Sequence, residues 1–243
     1  MNLIIDAGNT LIKYAVFDNF NIIFYDYNSE FTEAHYLIIK KKFPAINQII
    51  FSNVGHHQLK FLNILPDIKI IEFSSHTPIP IINLYQSPET LGMDRLAAVI
   101  GANQLYPKEN IMVIDLGSAI TYDFINNNSE YLGGNISPGL EMRFKALNNF
   151  TSKLPLLTPN ENFNPIGKNT NEAILTGVEQ GLVFEISSYI DYFSQYFTDL
   201  KVLLTGGNCF FFEKILKNHI FVNPNLLLIG LNKILEYNLG FKI

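Results

Sequence analysis

Apolar and polar residues follow the same order at two places in the chain. Residues 3–10 and 112–119 each hold three apolar residues, then Asp, another apolar residue, Gly, and small or polar residues. A second run of β-forming residues follows each copy, at 12–17 and 120–125, and Asn-containing turn segments come next. The repeat predicts two similar halves that each open with a β-hairpin.

Helical spacing of apolar residues follows both hairpins. Met93, Leu96, Ala97 and Ile100 lie at i, i+3, i+4 and i+7, which predicts a helix that ends before Pro107. Further helices are expected from residue 140, over about 171–197 and over 210–217, the last preceded by a strand at 202–205. With the boundary placed near residues 106–110, we predict an N-terminal domain at 1–107 and a C-terminal domain at 108–243.

Composition narrows the functional classes. Hydrophobic residues make up 48% of the 243 residues and the formal net charge is -5, as in a soluble globular protein, and an acidic chain is a poor binder of nucleic acid. One cysteine excludes an intrachain disulfide and favours a reducing compartment, so we expect a cytoplasmic protein. No apolar stretch approaches the ~20 residues that span a bilayer, and no membrane association is expected.

Residues 6–13 combine groups that bind phosphates. Gly8 lets the backbone approach a phosphate, Asn9 and Thr10 add neutral donors, and Lys13 adds a positive charge. Asp6 ends an apolar strand, where a carboxylate is costly unless it serves a Mg²⁺ ion, for example through water. The alternative is an Asx turn that caps the hairpin.

Asp94 and Arg95 form a second candidate, in the segment Gly92-Met93-Asp94-Arg95 at the predicted helix start. Asp94 is either a helix-start residue that offsets the dipole or a general base for a substrate hydroxyl. Only Arg95 and Arg143 are arginines among 17 basic residues, so each is expected where a planar forked donor is needed.

Three more glycine-containing segments occupy predicted turns. Asp115-Leu116-Gly117-Ser118 repeats the first hairpin motif, residues 133–139 form a glycine-rich turn before a helix, and residues 205–208 join the last strand and helix. Backbone N–H groups at such helix starts favour anions. Two phosphate-facing hairpins would then hold a nucleotide between the lobes.

In this order the motifs DxGNTxxK, GxDR, DxGxA, GGxIxPG, GKNT and TGG resemble those of type III pantothenate kinases, in the acetate-and-sugar-kinase and actin-like superfamily. The resemblance implies an α/β fold of two ribonuclease-H-like (actin-like ATPase) domains with an interdomain cleft, and a homodimer. It also implies ATP-dependent phosphorylation of pantothenate to 4'-phosphopantothenate, the first step of coenzyme A biosynthesis. A divalent ion such as Mg²⁺ and a monovalent K⁺ or NH₄⁺ would be required.

The resemblance also implies residue roles. Asp94 would accept the proton, Asp115 would bind the monovalent cation, and Ser118, where the family usually has Thr, would contact ATP. The phosphates of ATP would be held by Asp6, Ala7, Gly8, Asn9, Thr10, Leu11, Ile12 and Lys13. Pantothenate would be contacted by Tyr85, Gly92, Met93, Asp94, Arg95 and Thr170.

Simpler interpretations stay open at two of these positions, since Tyr85 fits a half-buried aromatic and Thr170 fits a cap on a helix that begins at Asn171. Two alternative functions also remain, because fold does not fix function. One is another kinase or phosphatase of the same superfamily, and the other is a non-catalytic nucleotide-binding accessory factor. The kinase hypothesis requires Asp6, Asp94 and Asp115 to converge on one cleft.

Overall fold

The protein is described by a computed structural model over residues 1–55, 57, 59, 61–62, 65, 68–160 and 164–240. The chain divides into two compact units. The first comprises residues 1–107, 129–131 and those from Asn225 onward, and the second comprises 108–128 and 132–224. The domain division at residue 107 stays a prediction. The segment from Asn225 onward was expected in the C-terminal domain, but it packs in the first unit.

The first unit is a sheet with helices on both faces. Its elements are β1 (Asn2–Ala7), β2 (Ile12–Asp18), β3 (Asn21–Asn28), α1 (Glu33–Lys42), β4 (Gln48–Asn53), β5 (Lys69–Glu72), β6 (Ile82–Asn83), α2 (Met93–Leu105) and α6 (Leu226–Asn238). The sheet order is β3-β2-β1-β4-β5, with β1 antiparallel to β2 and parallel to β4. The short strand β6 pairs in parallel with Glu130 and Tyr131.

Alternation along β1 assigns its residues to the two faces. Leu3 and Ile5 belong to the apolar cluster that includes Tyr36 and Ile39 of α1. The other face is covered by α6, because the side chain of Asn2 donates to the Asn232 side chain of α6 at 2.8 Å. Asp6 shares the face of Asn2 and therefore lies on the α6 side of the sheet.

Helices α2 and α6 pack closely through glycine. A Cβ at Gly230 would lie 1.8 Å from the Ala97 carbonyl oxygen, and a Cβ at Gly101 would lie 2.1 Å from the Leu226 carbonyl oxygen. Each helix backbone thus contacts the other directly, which fixes the position of α2 along α6. Since α2 carries Asp94 in its first turn, this contact also fixes where that carboxylate lies in the first unit.

The second unit repeats the sheet order of the first. Its elements are β7 (Ile111–Leu116), β8 (Ala119–Ile125), β9 (Glu130–Pro138, whose first two residues belong to the first unit), α3 (Leu140–Asn149), α4 (Thr170–Phe193), β10 (Lys201–Thr205), α5 (Cys209–Ile215) and β11 (Phe221–Val222). The strand order β9-β8-β7-β10-β11 matches β3-β2-β1-β4-β5. Met112, Tyr122 and Phe124 form a core with α3, α4 and α5. The predicted repeat of two hairpin-led halves is therefore confirmed.

Two local predictions differ from the structure. Residues 133–138 lie within β9, because Gly134 lets β9 approach β8: a Cβ at Gly134 would lie 2.0 Å from the Tyr122 carbonyl oxygen. The long helix α4 ends at Phe193 and does not reach residue 197, and the Ser194 hydroxyl donates to the Ile190 carbonyl at 2.7 Å. Among the described residues no helix is long and apolar enough to cross a membrane.

Candidate active site

The turn of the first hairpin exposes polar groups at the end of a buried strand. Asp6 pairs with Lys13 in the β1–β2 register, and the Gly8 N–H donates to the Leu11 carbonyl at 3.1 Å. Asn9 and Thr10 are exposed at the tip, while Asp6 is only 7% exposed. The tip of the turn is thus open to solvent, whereas Ala7 and Ile12 of the predicted phosphate-binding segment are buried in the flanking strands.

Ser52 extends the acidic end of this hairpin across a third strand. In the parallel β1–β4 register Ser52 lies beside Asp6, so Lys13, Asp6 and Ser52 form a row on one sheet face. The Ser52 hydroxyl is buried and accepts or donates no hydrogen bond among the described residues. Sequence reasoning missed Ser52, although it ends an apolar strand as Asp6 does. The oxygens of Asp6 and Ser52 suit a hydrated Mg²⁺ ion.

Gly92 and Asp94 explain the spacing of the second motif. Gly92 is the N-cap residue of α2, and Asp94 Oδ1 accepts a hydrogen bond from the Arg95 N–H at 2.9 Å. A Cβ at Gly92 would lie 2.4 Å from the same oxygen. The carboxylate therefore folds back over Gly92, where a larger residue would require the carboxylate to move, and the Arg95 N–H engages one of its two oxygens.

Arg95 and Tyr85 meet beside this carboxylate. The Arg95 guanidinium carbon lies 5.7 Å from the centre of the Tyr85 ring, a cation–π distance. Tyr85 is half-buried and also packs on Tyr131, with ring centres 6.1 Å apart. Arg95 is buried. The structure thus brings Tyr85, Asp94 and Arg95 together in the first unit, where Asp6 also lies.

The second hairpin presents an oxygen-rich row. Asp115 aligns with Thr121 on β8 and with Thr205 on β10, so all three side chains share one face of the sheet. The Thr121 hydroxyl is buried without a hydrogen bond in the described part of the chain. Gly206 has φ +89°, and a Cβ there would lie 2.3 Å from Asp115 Oδ1. Glycine is therefore required at 206 both for its backbone conformation and for the space that Asp115 occupies.

Three turns of the second unit meet at the Ser118 position. A Cβ at Gly139 would lie 2.3 Å from the Ser118 carbonyl oxygen. Asn208 joins the other two turns: its N–H donates to the Leu116 carbonyl at 3.0 Å, and its side-chain amide donates to the Glu141 carboxylate at 3.2–3.3 Å. The backbone of residues 116–118 thus contacts the other two glycine-containing segments that the sequence singled out, and the Ser118 side chain is exposed beside them.

Arg143 holds the end of β9. Its guanidinium donates to the Pro138 carbonyl and the Ser137 hydroxyl, both at 2.9 Å, and to the Glu185 carboxylate at 2.5 Å. Tyr122 donates to the other oxygen of Glu185 at 2.9 Å. Burial alone would raise the pKa of Glu185, but these hydrogen bonds outweigh it and lower the pKa. The forked donor expected of Arg143 is therefore present, in a structural contact.

Thr170 is exposed in the first turn of α4 and does not cap it. The N-cap is Asn169, whose side chain accepts from the Glu172 N–H at 3.0 Å, and the Glu172 carboxylate accepts from the Lys168 N–H at 2.9 Å. The alternative that Thr170 caps a helix beginning at Asn171 is therefore wrong. Thr170, Asp115 and Ser118 belong to the second unit, and their convergence with Asp6 and Asp94 stays a prediction.

Two units of the same strand order, each with an Asp at the end of its first strand and a glycine turn after it, define a protein of the actin-like and sugar-kinase fold class. This confirms the predicted ribonuclease-H-like fold. The sequence profile described as type III pantothenate kinase matches residues 2–192. The chain belongs to the type III pantothenate kinase family.

Individual relatives agree over nearly the whole length. A type III pantothenate kinase of Phocaeicola vulgatus is 45% identical over 243 residues, covering 98% of this chain and 99% of the relative. A Campylobacter jejuni structure assigned to the Baf family of transcriptional activators has a TM-score of 0.65 at 25% identity, covering 98% and 100%. A Sinorhizobium meliloti structure described as a 2-dehydro-3-deoxygalactonokinase has a TM-score of 0.59 at 12% identity, covering 99% and 100%, and supports the fold alone.

Family membership makes this chain a kinase that uses ATP as the phosphoryl donor together with a divalent ion. The predicted enzyme class and nucleotide are thereby confirmed. The residue roles, the monovalent cation and the oligomeric state need arguments of their own.

Proposed function

We propose that this protein phosphorylates pantothenate to 4'-phosphopantothenate with ATP, the first step of coenzyme A biosynthesis, and that Asp94 is the general base. The observation that carries the proposal is the geometry of Gly92, Asp94 and Arg95. One carboxylate oxygen is fixed by the Arg95 N–H, so the carboxylate is held in one orientation and the other oxygen can accept a proton.

In this mechanism Asp94 Oδ2 accepts the proton of the pantothenate hydroxyl while the hydroxyl oxygen attacks the γ-phosphorus of ATP. The new O–P bond forms while the bond between the γ-phosphorus and the bridging oxygen breaks, and ADP leaves with that oxygen. The proton on Asp94 then passes to solvent. Such positioning of a base typically contributes about 10²- to 10⁴-fold to the rate.

The first hairpin and Ser118 would bind ATP. The exposed donors of Asn9 and Thr10 and the charge of Lys13 suit phosphate oxygens, and Gly8 permits close approach. The row of Asp6 and Ser52 would hold the divalent ion, in the case of Asp6 through water. A bound ion neutralises charge on the phosphates.

Pantothenate would lie against Tyr85 and the first turn of α2, from Gly92 to Arg95, with Thr170 as a further contact. Pantothenate carries a carboxylate, and the Arg95 guanidinium offers a forked donor that matches one. The half-buried ring of Tyr85, beside Arg95, would add apolar surface for the methyl groups of pantothenate.

We further propose that Asp115 binds K⁺ or NH₄⁺. Supporting this proposal, the carboxylate shares a sheet face with the hydroxyls of Thr121 and Thr205, and hard cations prefer oxygen ligands.

A homodimer is also proposed, because the outer side of α4 carries a stripe of small and aromatic residues. A Cβ added at Gly177 or Gly181 would meet no atom within 4 Å, and Phe184 and Tyr192 are 63% and 52% exposed. A second helix can approach such a stripe closely. We also propose a cytoplasmic location, because a single cysteine permits no intrachain disulfide, as is usual for proteins of a reducing compartment.

The test is an assay of ADP release with ATP, Mg²⁺ and a panel of pantothenate, acetate and sugars. Pantothenate is expected to be the acceptor, and Asp94→Asn is expected to lower the rate about 10²-fold or more while ATP binding stays unchanged. Turnover of a sugar or acetate instead would favour another kinase of the superfamily. Nucleotide binding without any turnover would favour an accessory factor, the kind of role that the Campylobacter jejuni relative's family name suggests.

A further inference from the structure

The segment after β4 lies directly against the turn of the first hairpin. The N–H groups of Val54 and Gly55 donate to the Ala7 carbonyl at 3.1 and 3.3 Å. His57 then reaches the next carbonyl, with its Nε2 at 2.7 Å from the Gly8 oxygen. Two successive carbonyls of the phosphate-binding turn are thus held by one neighbouring segment.

The Gly8 carbonyl indicates which ring nitrogen of His57 acts as the hydrogen-bond donor. A carbonyl oxygen only accepts hydrogen bonds, so Nε2 of His57 must carry a proton to bond the Gly8 carbonyl. The backbone of His57 is fixed as well, because its own carbonyl accepts from the Asn53 side-chain amide at 2.9 Å. A Cβ at Gly55 would lie 2.8 Å from the imidazole ring and 2.9 Å from the Gly8 oxygen. The ring therefore packs tightly against bare backbone.

The contact between His57 and the Gly8 carbonyl determines the direction of the Asn9 N–H. In a planar trans peptide the C=O and the following N–H point in opposite directions. Because His57 holds the Gly8 carbonyl toward the β4 side, the N–H of Asn9 points away from that side. Asn9 is exposed at the tip of the turn, so its N–H is presented where a phosphate oxygen can accept it.

The plane of the Gly8–Asn9 peptide can also rotate easily. Rotating the Gly8–Asn9 peptide by half a turn changes ψ of Gly8 and φ of Asn9, and Gly and Asn are the residues that tolerate unusual backbone angles best. The rotated peptide would direct the negative end of the carbonyl dipole at the phosphates. A side chain that bonds the carbonyl in one orientation removes this competing state.

We propose that His57 is a positioning residue for nucleotide binding, which fixes the Gly8–Asn9 peptide so that its N–H faces the phosphates. The proposal rests on the proposed role of the first hairpin in binding ATP. It assigns a function to a residue outside every motif that the sequence singled out, and it concerns affinity for the nucleotide rather than the acceptor substrate.

The test compares two length-matched substitutions, His57→Gln and His57→Met, by calorimetric titration with Mg-ATP in the absence of pantothenate. Glutamine keeps an N–H donor and methionine has none. We expect the methionine variant to bind ATP about fivefold to tenfold more weakly, the scale of one hydrogen bond, and the glutamine variant to stay within about twofold of wild type. His76→Ala, at an exposed histidine of the same unit, is the control and is expected to bind like wild type.

Steady-state kinetics give the second readout. KM for ATP is expected to rise in the methionine variant while KM for pantothenate changes less than about twofold, a split that general destabilisation would not produce. Methionine and wild-type proteins with equal ATP affinity would overturn the proposal. If the methionine variant does not fold, the glutamine variant decides alone, since a loss of about fivefold despite its donor would count against the proposal. Because titration needs no acceptor, a wrong acceptor substrate would refute only the proposed function.

Discussion

The contact between α2 and α6 leads to a quantitative prediction for Gly230→Ala. The added Cβ would lie 1.8 Å from the Ala97 carbonyl oxygen and 2.9 Å from the Gly101 nitrogen. Ordinary contact between such atoms needs about 3.4 Å or more, so the two helices must move apart by roughly 1.6 Å. The obstructing atoms belong to helix backbone, so no side-chain rotation can relieve the clash.

Overpacking of this kind costs about 1–3 kcal/mol, and we expect the upper half of that range here because backbone must move. For a chain of this size each kcal/mol lowers Tm by about 2–4 °C, which gives a loss of roughly 4–12 °C. Thermal unfolding followed by circular dichroism measures the change. The control is Gly207→Ala, where a Cβ would meet nothing within 4 Å and Tm should stay within about 2 °C. Equal Tm values for the two variants would show that α2 and α6 are not in backbone contact.

Three further predictions concern single side chains and ions. Activity in sodium-only buffer should fall well below that in potassium or ammonium, and equal initial rates would argue against a cation site at Asp115. Ser52→Ala should leave the Tm of the ligand-free protein unchanged or raise it by up to a few degrees, because the change removes a buried hydroxyl that has no partner among the described residues. The affinity of the same variant for Mn²⁺, measured by electron paramagnetic resonance in the presence of ADP, should fall about threefold or more. Burial raises the pKa of the Glu179 carboxyl above its usual 4.5. The contribution of this group to the free energy of unfolding is therefore fully present below pH 4.5, and it is lost as the pH rises through the raised pKa. In thermal unfolding scans, the stability of Glu179→Gln relative to wild type should therefore be higher at pH 8 than at pH 5. Stabilities of the two proteins that change in parallel with pH would contradict the reasoning.

Local patterns were sufficient to predict the hairpins and most helices. The repeated order of apolar residues, Asp and Gly predicted two similar sheets because strand alternation and turn chemistry act over a few residues. The helix at Met93–Leu105 was predicted from its apolar spacing and from Pro107. The turn predicted around Gly134 was wrong, because in β9 this glycine allows the close approach of β8 and does not form a turn.

Long-range contacts could not be read from the sequence. Gly101 and Gly230 lie far apart along the chain, and nothing near either residue indicates that they meet. Nothing in the sequence around Ser52 and His57 distinguishes them, and the roles proposed for them depend on the pairing of β4 with β1. Asp94 was predicted as a candidate base because of its neighbours Gly92 and Arg95, and the structure shows the Asp94 carboxylate lying over Gly92. Motifs made of residues adjacent in sequence could be predicted, whereas contacts made to those motifs by residues of another strand could not.

Placement of α6 in the first unit has a consequence during translation. Residues 108–224 are synthesised before Leu226–Asn238, so the second unit is complete in sequence while the first still lacks a helix. The apolar side of α2 that α6 will cover, around Ala97 and Gly101, stays open in the nascent chain until the last residues emerge. We therefore expect the first half of the polypeptide to be the last to reach its native state, and ribosome-bound chains that stop short of α6 to be the species that chaperones hold.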